Sequence, residues 1–191
     1  MSEKNSNEIT LRIKVSKEEF VHFLVNHNFK EIEQFSLDDY YFIPKETKLD
    51  KKKVRQILAK AILIRNIQGG NTERILKLTF KQKEINENGE IVKQKATNCD
   101  IYHLEEAKSF LEAIGYYEIM NIKENDMLYE KDDLEIAVKC VDNGENLIEI
   151  ETNNTYDTVD KLIDKIKELK LPVDISNYYV KKAEEYLESL I

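Results

Sequence analysis

Four segments of this chain alternate apolar residues with charged ones, and this alternation limits the possible folds more than any other feature. Glu8-Ile9-Thr10-Leu11-Arg12-Ile13-Lys14-Val15 is the first; Leu76 to Lys81, Leu134 to Lys139 and Leu147 to Glu151 follow. Successive side chains of a strand point to opposite faces, so each segment has one apolar face and one charged face. On an open sheet the charged face would meet water. If the apolar faces are covered by helices and the sheet closes, the charges line an interior and form a ligand site.

Helices to cover those faces are available. Ser16-Lys17-Glu18-Glu19 is a capping box, and Phe20, Phe23, Leu24 and His27 follow at helical spacing. Leu104, Ala107, Phe110, Leu111 and Ile114 mark a second helix, stopped by Gly115. Val159 to Leu169 and Tyr179 to Leu190 supply two more, within a helical C-terminal part at 155–191. Further strands are expected at 35–43, 61–67, 73–83, 90–99, 116–122 and 127–130. Asn86-Glu87-Asn88-Gly89 gives a hairpin turn between the 73–83 and 90–99 strands. The fold class is therefore α+β: a closed antiparallel barrel of about eight strands, with helices packed outside. The 191 residues suit a single domain, with 1–7 as a frayed tail. A loose echo of strand, helix and strands divides it into 8–100 and 116–152.

Composition narrows the class of function. A net charge of −8 argues against a general nucleic-acid surface but leaves room for a local basic pocket. No apolar run reaches bilayer length and the N-terminus has no apolar leader core, so a cytoplasmic protein that does not span a membrane is expected. Cys99 and Cys140 have no neighbours at zinc spacing and read as reduced thiols. His22, His27 and His103 lack partners at metal or triad spacing; the first two read as structural and His103, preceding a helix, as a cap. Lys51 to Arg55 reads as a solvated basic loop, with a lid over an anion as the alternative. Long apolar strand faces could also support a homodimer.

The order of elements and short motifs resembles the CYTH family, the triphosphate tunnel metalloenzymes. The family opens on Glu-x-Glu-x-Lys, and Glu8-Ile9-Thr10-Leu11-Arg12 is the counterpart. Asp39-Tyr40-Tyr41-Phe42 resembles its Asp-x-Tyr-Phe step, Ala61-Ile62-Leu63-Ile64-Arg65 its Ala-Leu-Arg-Ile-Arg, and Leu78-Thr79-Phe80-Lys81 its Leu-Thr-x-Lys. Lys123 and Tyr129 lie near its Lys-x-Arg-x-x-Tyr, Glu149-Ile150-Glu151 resembles the closing Glu-Ile-Glu, and Asn177-Tyr178 echoes a Ser-Tyr near its end. The resemblance spans nearly the whole chain. It implies a tunnel binding a triphosphate-bearing or polyphosphate ligand, as in class IV adenylyl cyclases and thiamine triphosphatases.

By the same resemblance, Glu8, Glu149 and Glu151 would hold Mg²⁺ or Mn²⁺, and Arg12, Arg65, Lys81, Lys123 and Lys139 would bind the triphosphate. No catalytic residue is assigned. Hard cations and phosphates call for such groups, carboxylate oxygens for the metal and fixed cations for the anion. The departures are Thr10 for a second glutamate, Leu63 for an arginine, Lys139 for an aspartate, and Asn125 or Asp126 for the arginine after Lys123. Three readings follow: a metal-dependent triphosphatase, less readily a nucleotidyl cyclase, and a degenerate relative that binds a nucleotide or other phosphorylated anion without turnover.

Overall fold

The computed structural model describes residues 8–70, 74–85, 91–142 and 144–191. Among the described residues are eight strands: β1 (Glu8–Arg12), β2 (Lys30–Pro44), β3 (Ile62–Gly69), β4 (Ile75–Ile85), β5 (Ile91–Asp100), β6 (Tyr116–Lys131), β7 (Leu134–Val141) and β8 (Asn146–Glu151). Five α-helices accompany them: α1 (Lys17–Asn26), α2 (Val54–Leu58), α3 (Leu104–Ala113), α4 (Val159–Leu169) and α5 (Lys182–Leu190). The class is α+β, as expected. The tail and the turn at Asn86 to Gly89 lie outside the described residues. No described helix is long and apolar enough to cross a membrane.

The strands form one antiparallel sheet in the order β1-β8-β7-β6-β2-β3-β4-β5. Among the described residues no ladder joins β1 to β5, so hydrogen bonds do not close the expected barrel. The outer edge of β1 is already in use. Thr10 donates its N–H to the Tyr178 carbonyl and accepts from Val180, while the Arg12 carbonyl accepts from Asp174. A covered edge cannot pair with another strand.

Two strands exceed the expectation. β6 is one strand of 16 residues, not the two pieces at 116–122 and 127–130. The charged run Lys123-Glu124-Asn125-Asp126 looked like a break, yet Glu124 and Asp126 are buried while Lys123 and Asn125 are exposed. The run keeps a strict period of two. β2 likewise begins at Lys30, before the expected 35.

The described residues divide into two compact units, 8–35 with 124–180 and 36–123 with 181–191. In the first unit, the apolar faces of β1, β6, β7 and β8 contribute Ile9, Leu11, Met127, Ile136, Val138 and Ile148 to a core. The core also takes Phe20 and Leu24 from α1 and Leu162 and Ile166 from α4. Burying a residue of this kind contributes roughly 1.5–3 kcal/mol. α1 starts on the expected capping box, Ser16 with Glu19. In the second unit Leu111 of α3 covers Phe42 and Ile64, with Ile62 and Leu78 beside them. Gly115 follows at φ +91°, the left-handed conformation that ends a helix at low cost.

Candidate functional site: charged faces of the sheet

Register decides which side chains share a face, because directly opposed residues of antiparallel strands point the same way. In the first unit Glu8 lies opposite Glu151, Thr10 opposite Glu149, and Arg12 opposite Leu147. Across β8, Glu149 faces Ala137 and Leu147 faces Lys139. Across β7, Lys139 faces Asp126 and Glu135 faces Glu130. One face of the first unit therefore carries Glu8, Thr10, Arg12, Glu149, Glu151, Lys139 and Asp126.

The Lys139 ammonium stands 3.6 Å from Oδ2 of Asp126 and 3.4 Å from Oε1 of Glu149. Asp126 is its directly opposed neighbour; Glu149 is diagonal, within reach of a long side chain. Lys139 and Asp126 are largely buried, at 13% and 2% side-chain exposure. Arg12 is held by Glu145, whose Oε1 accepts from its Nε at 2.7 Å. A cleft of about 480 Å³ opens beside this region, lined among others by Glu130, Asp132, Glu135, Glu149 and Glu151.

Glu8, Glu149 and Glu151 thus share the face the resemblance assigns them. Among the described residues, however, no group of three or more His, Cys, Asp or Glu side chains gathers so as to hold a metal ion. Asp126 and Glu149 both lie against the Lys139 ammonium. A divalent cation needs a ligand set without a competing fixed charge, so the side chains as placed do not fit one.

The second unit carries a different row. Arg65 lies opposite Lys77, and Lys77 opposite Asp100. Lys81, two residues beyond Thr79, has the same parity and is exposed. Like charges opposed across strands are unfavourable unless something anionic compensates. Asp39 of β2 does so for Arg65: its two oxygens accept from Nε at 2.8 Å and Nη2 at 2.7 Å, the bidentate geometry natural to guanidinium. Asp39 is 1% exposed, whereas the Arg65 side chain is 35% exposed. On this face Leu63 lies opposite Thr79, and Leu63 is buried. Lys123 is exposed, on the side of β6 opposite to Glu124 and Asp126.

Sequence reasoning missed Asp126 as a partner for Lys139 and assigned no role to Asp39. The signal for Asp126 was the uninterrupted alternation of 123–126. The expected basic loop is also more anchored than a solvated segment. Lys51–Lys53 forms a 3₁₀ turn leading into α2, whose Val54, Ile57 and Leu58 are buried. Arg55 makes an ion pair with Glu184 at 3.0 Å.

Two perturbed groups flank the first unit's charges. Burial pushes the Cys140 thiol up from its ordinary value. Burial, then its hydrogen bond to Glu31 at 2.9 Å, pushes the Tyr129 phenol well above its usual range. Both groups stay protonated at neutral pH and neither is a ready nucleophile.

No protein-family model matches the chain, and no curated protein matches it significantly. Solved structures do. The PH1819 protein of Pyrococcus horikoshii is 19% identical with a TM-score of 0.65, the match covering 96% of this chain and 99% of that one. A Vibrio parahaemolyticus protein described as a "putative adenylate cyclase" is 16% identical at TM-score 0.60, covering 95% and 97%. HpAC1 from Hippeastrum, described as a "putative adenylyl cyclase" with a dominant triphosphatase activity, is 14% identical at TM-score 0.60, covering 95% of each chain. The fold is the CYTH fold. At these identities the likeness is one of fold, spanning almost the full length of both chains.

Proposed function

We propose that this protein binds a triphosphate-bearing or polyphosphate anion without turning it over. The observation that carries the reading is the cation row of the second unit, Arg65 opposite Lys77 with Lys81 on the same face. Asp39 clamps Arg65 and Asp100 lies opposite Lys77, while the exposed Lys81 adds a further cation, so these residues keep a net positive charge that a polyanion would meet with charge-assisted hydrogen bonds. The activity described for HpAC1, on the same fold, supports triphosphate as the class. The substitutions Thr10, Leu63 and Lys139 support binding over turnover, since each removes a carboxylate or a phosphate clamp that the resemblance implies.

Calorimetry with inorganic triphosphate, ATP and thiamine triphosphate tests the binding. Saturable binding of at least one is expected, weakened about tenfold or more by Arg65→Ala with Lys77→Ala, in line with the roughly 1.5–3 kcal/mol of a hydrogen bond to a charged group. No binding of any of the three would overturn the reading. Release of phosphate, pyrophosphate or cyclic AMP in the presence of Mg²⁺ or Mn²⁺ would overturn the claim of no turnover and restore the enzymatic alternative.

A further inference from the structure

We infer that Lys139 is a resident cation, occupying the place a divalent metal would take between Asp126 and Glu149. This deepens the binding reading above: the first unit's charged face takes up no metal of its own, and any metal that reaches the protein comes already complexed to the phosphate ligand.

The geometry is built by register. β7 places Lys139 directly opposite Asp126 on β6 and diagonal to Glu149 on β8. The ammonium then lies at 3.6 and 3.4 Å from one oxygen of each carboxylate. An ammonium at that range compensates two carboxylates without requiring the full ligand sphere of a divalent ion, which takes oxygens at roughly 2.0–2.6 Å. Its burial matters as much as its position. With Lys139 and Asp126 at 13% and 2% exposure, removing the lysine takes away an ammonium that compensates a carboxylate shielded from water. An incoming metal would therefore have to displace a fixed charge rather than a water molecule. On an exposed face lysine side chains exchange freely; here the strand pairing holds this one.

The experiment is a Mn²⁺ titration of the protein alone, read by calorimetry and by electron paramagnetic resonance, with no triphosphate present. Failure of triphosphate binding would therefore leave this result standing. Wild type and Lys139→Arg, which keep the cation, should bind Mn²⁺ at most weakly. Lys139→Asp, which replaces the ammonium with a third carboxylate, should bind at least tenfold more tightly, and its melting temperature should rise with added Mn²⁺. Lys139→Met removes the charge and keeps the length of the stem, and it should also gain Mn²⁺ binding; it serves if Lys139→Asp does not fold. Adding Glu149→Gln to either variant should abolish the gain. The inference is overturned if wild type binds as tightly as Lys139→Met or Lys139→Asp. It is equally overturned if the gain survives Glu149→Gln, because the metal would then lie elsewhere on the acidic surface.

Discussion

The two units use the same local device with opposite signs. In the first, one lysine is set between carboxylates, Lys139 with Asp126 and Glu149, on a face with more acids than bases. In the second, one carboxylate is set against an arginine, Asp39 with Arg65, on a face whose other members include Lys77 and Lys81. In each unit a buried carboxylate is matched by a cation on the neighbouring strand. The first face keeps a surplus of carboxylates and the second a surplus of cations, although the chain as a whole is acidic.

Removing the matched partner breaks this comparison most severely. Lys139→Met leaves the 2%-exposed Asp126 facing Glu149 and should cost about 2–4 kcal/mol, below the range for a fully buried pair because Glu149 is partly exposed. Asp39→Asn should cost less, about 1–3 kcal/mol, because Arg65 is 35% exposed and can turn to water. Urea denaturation of both variants gives the difference. Equal costs would mean that partner exposure does not set the effect.

Helix caps sharpen the contrast with a smaller effect. α4 of the first unit is capped by Thr158, whose hydroxyl accepts from the Lys161 N–H at 3.3 Å, whereas His103 at the start of α3 in the second unit makes no side-chain cap bond. Thr158→Ala should lose about 1 kcal/mol and His103→Asp should gain about 0.5–1 kcal/mol, both read by thermal melting.

The smallest effect is acid dependence. The Ser16 backbone N–H and hydroxyl hold the Glu19 carboxyl below its ordinary 4.5. A carboxyl depressed by folding contributes stability at and above its unfolded value, and that contribution is lost as pH falls through the lower folded value. Glu19→Gln, which removes the titrating carboxyl, should therefore flatten the acid limb of the melting-temperature profile below about pH 4.5. An unchanged limb would remove Glu19 from the linkage.

Most of the fold was legible because period and capping are local. The alternation at β1, β4, β7 and β8, the Ser16–Glu19 box and the stop at Gly115 each depend on neighbours a few residues away. Glu149 and Glu151 were placed on one face by the same parity, whereas Glu8 joined them only through the resemblance, its place being set by the register of β1 with β8. The edge of β1 was not legible, since the segment that covers it is Asp174 to Val180, far along the chain and without strand signal. Lys139 was recognised as a departure, but its partner was hidden in a charged run that a hydrophobic pattern reads as a break. The alternation of 123–126 carries the burial of Asp126, but that Lys139 faces it is set by the register of two strands and not by either strand's pattern.

The pairing of β1 with β8 also has a consequence in time. Glu8 to Arg12 is synthesised early, yet its ladder partner is Leu147 to Glu151, and its other edge waits for Asp174 to Val180. At roughly 5–20 residues per second the first strand spends on the order of ten seconds with its apolar Ile9 and Leu11 lacking their final cover. A chain built this way cannot complete its first unit until residues near Val180 have emerged, and the helix α1 that follows β1 is the first cover the nascent strand meets.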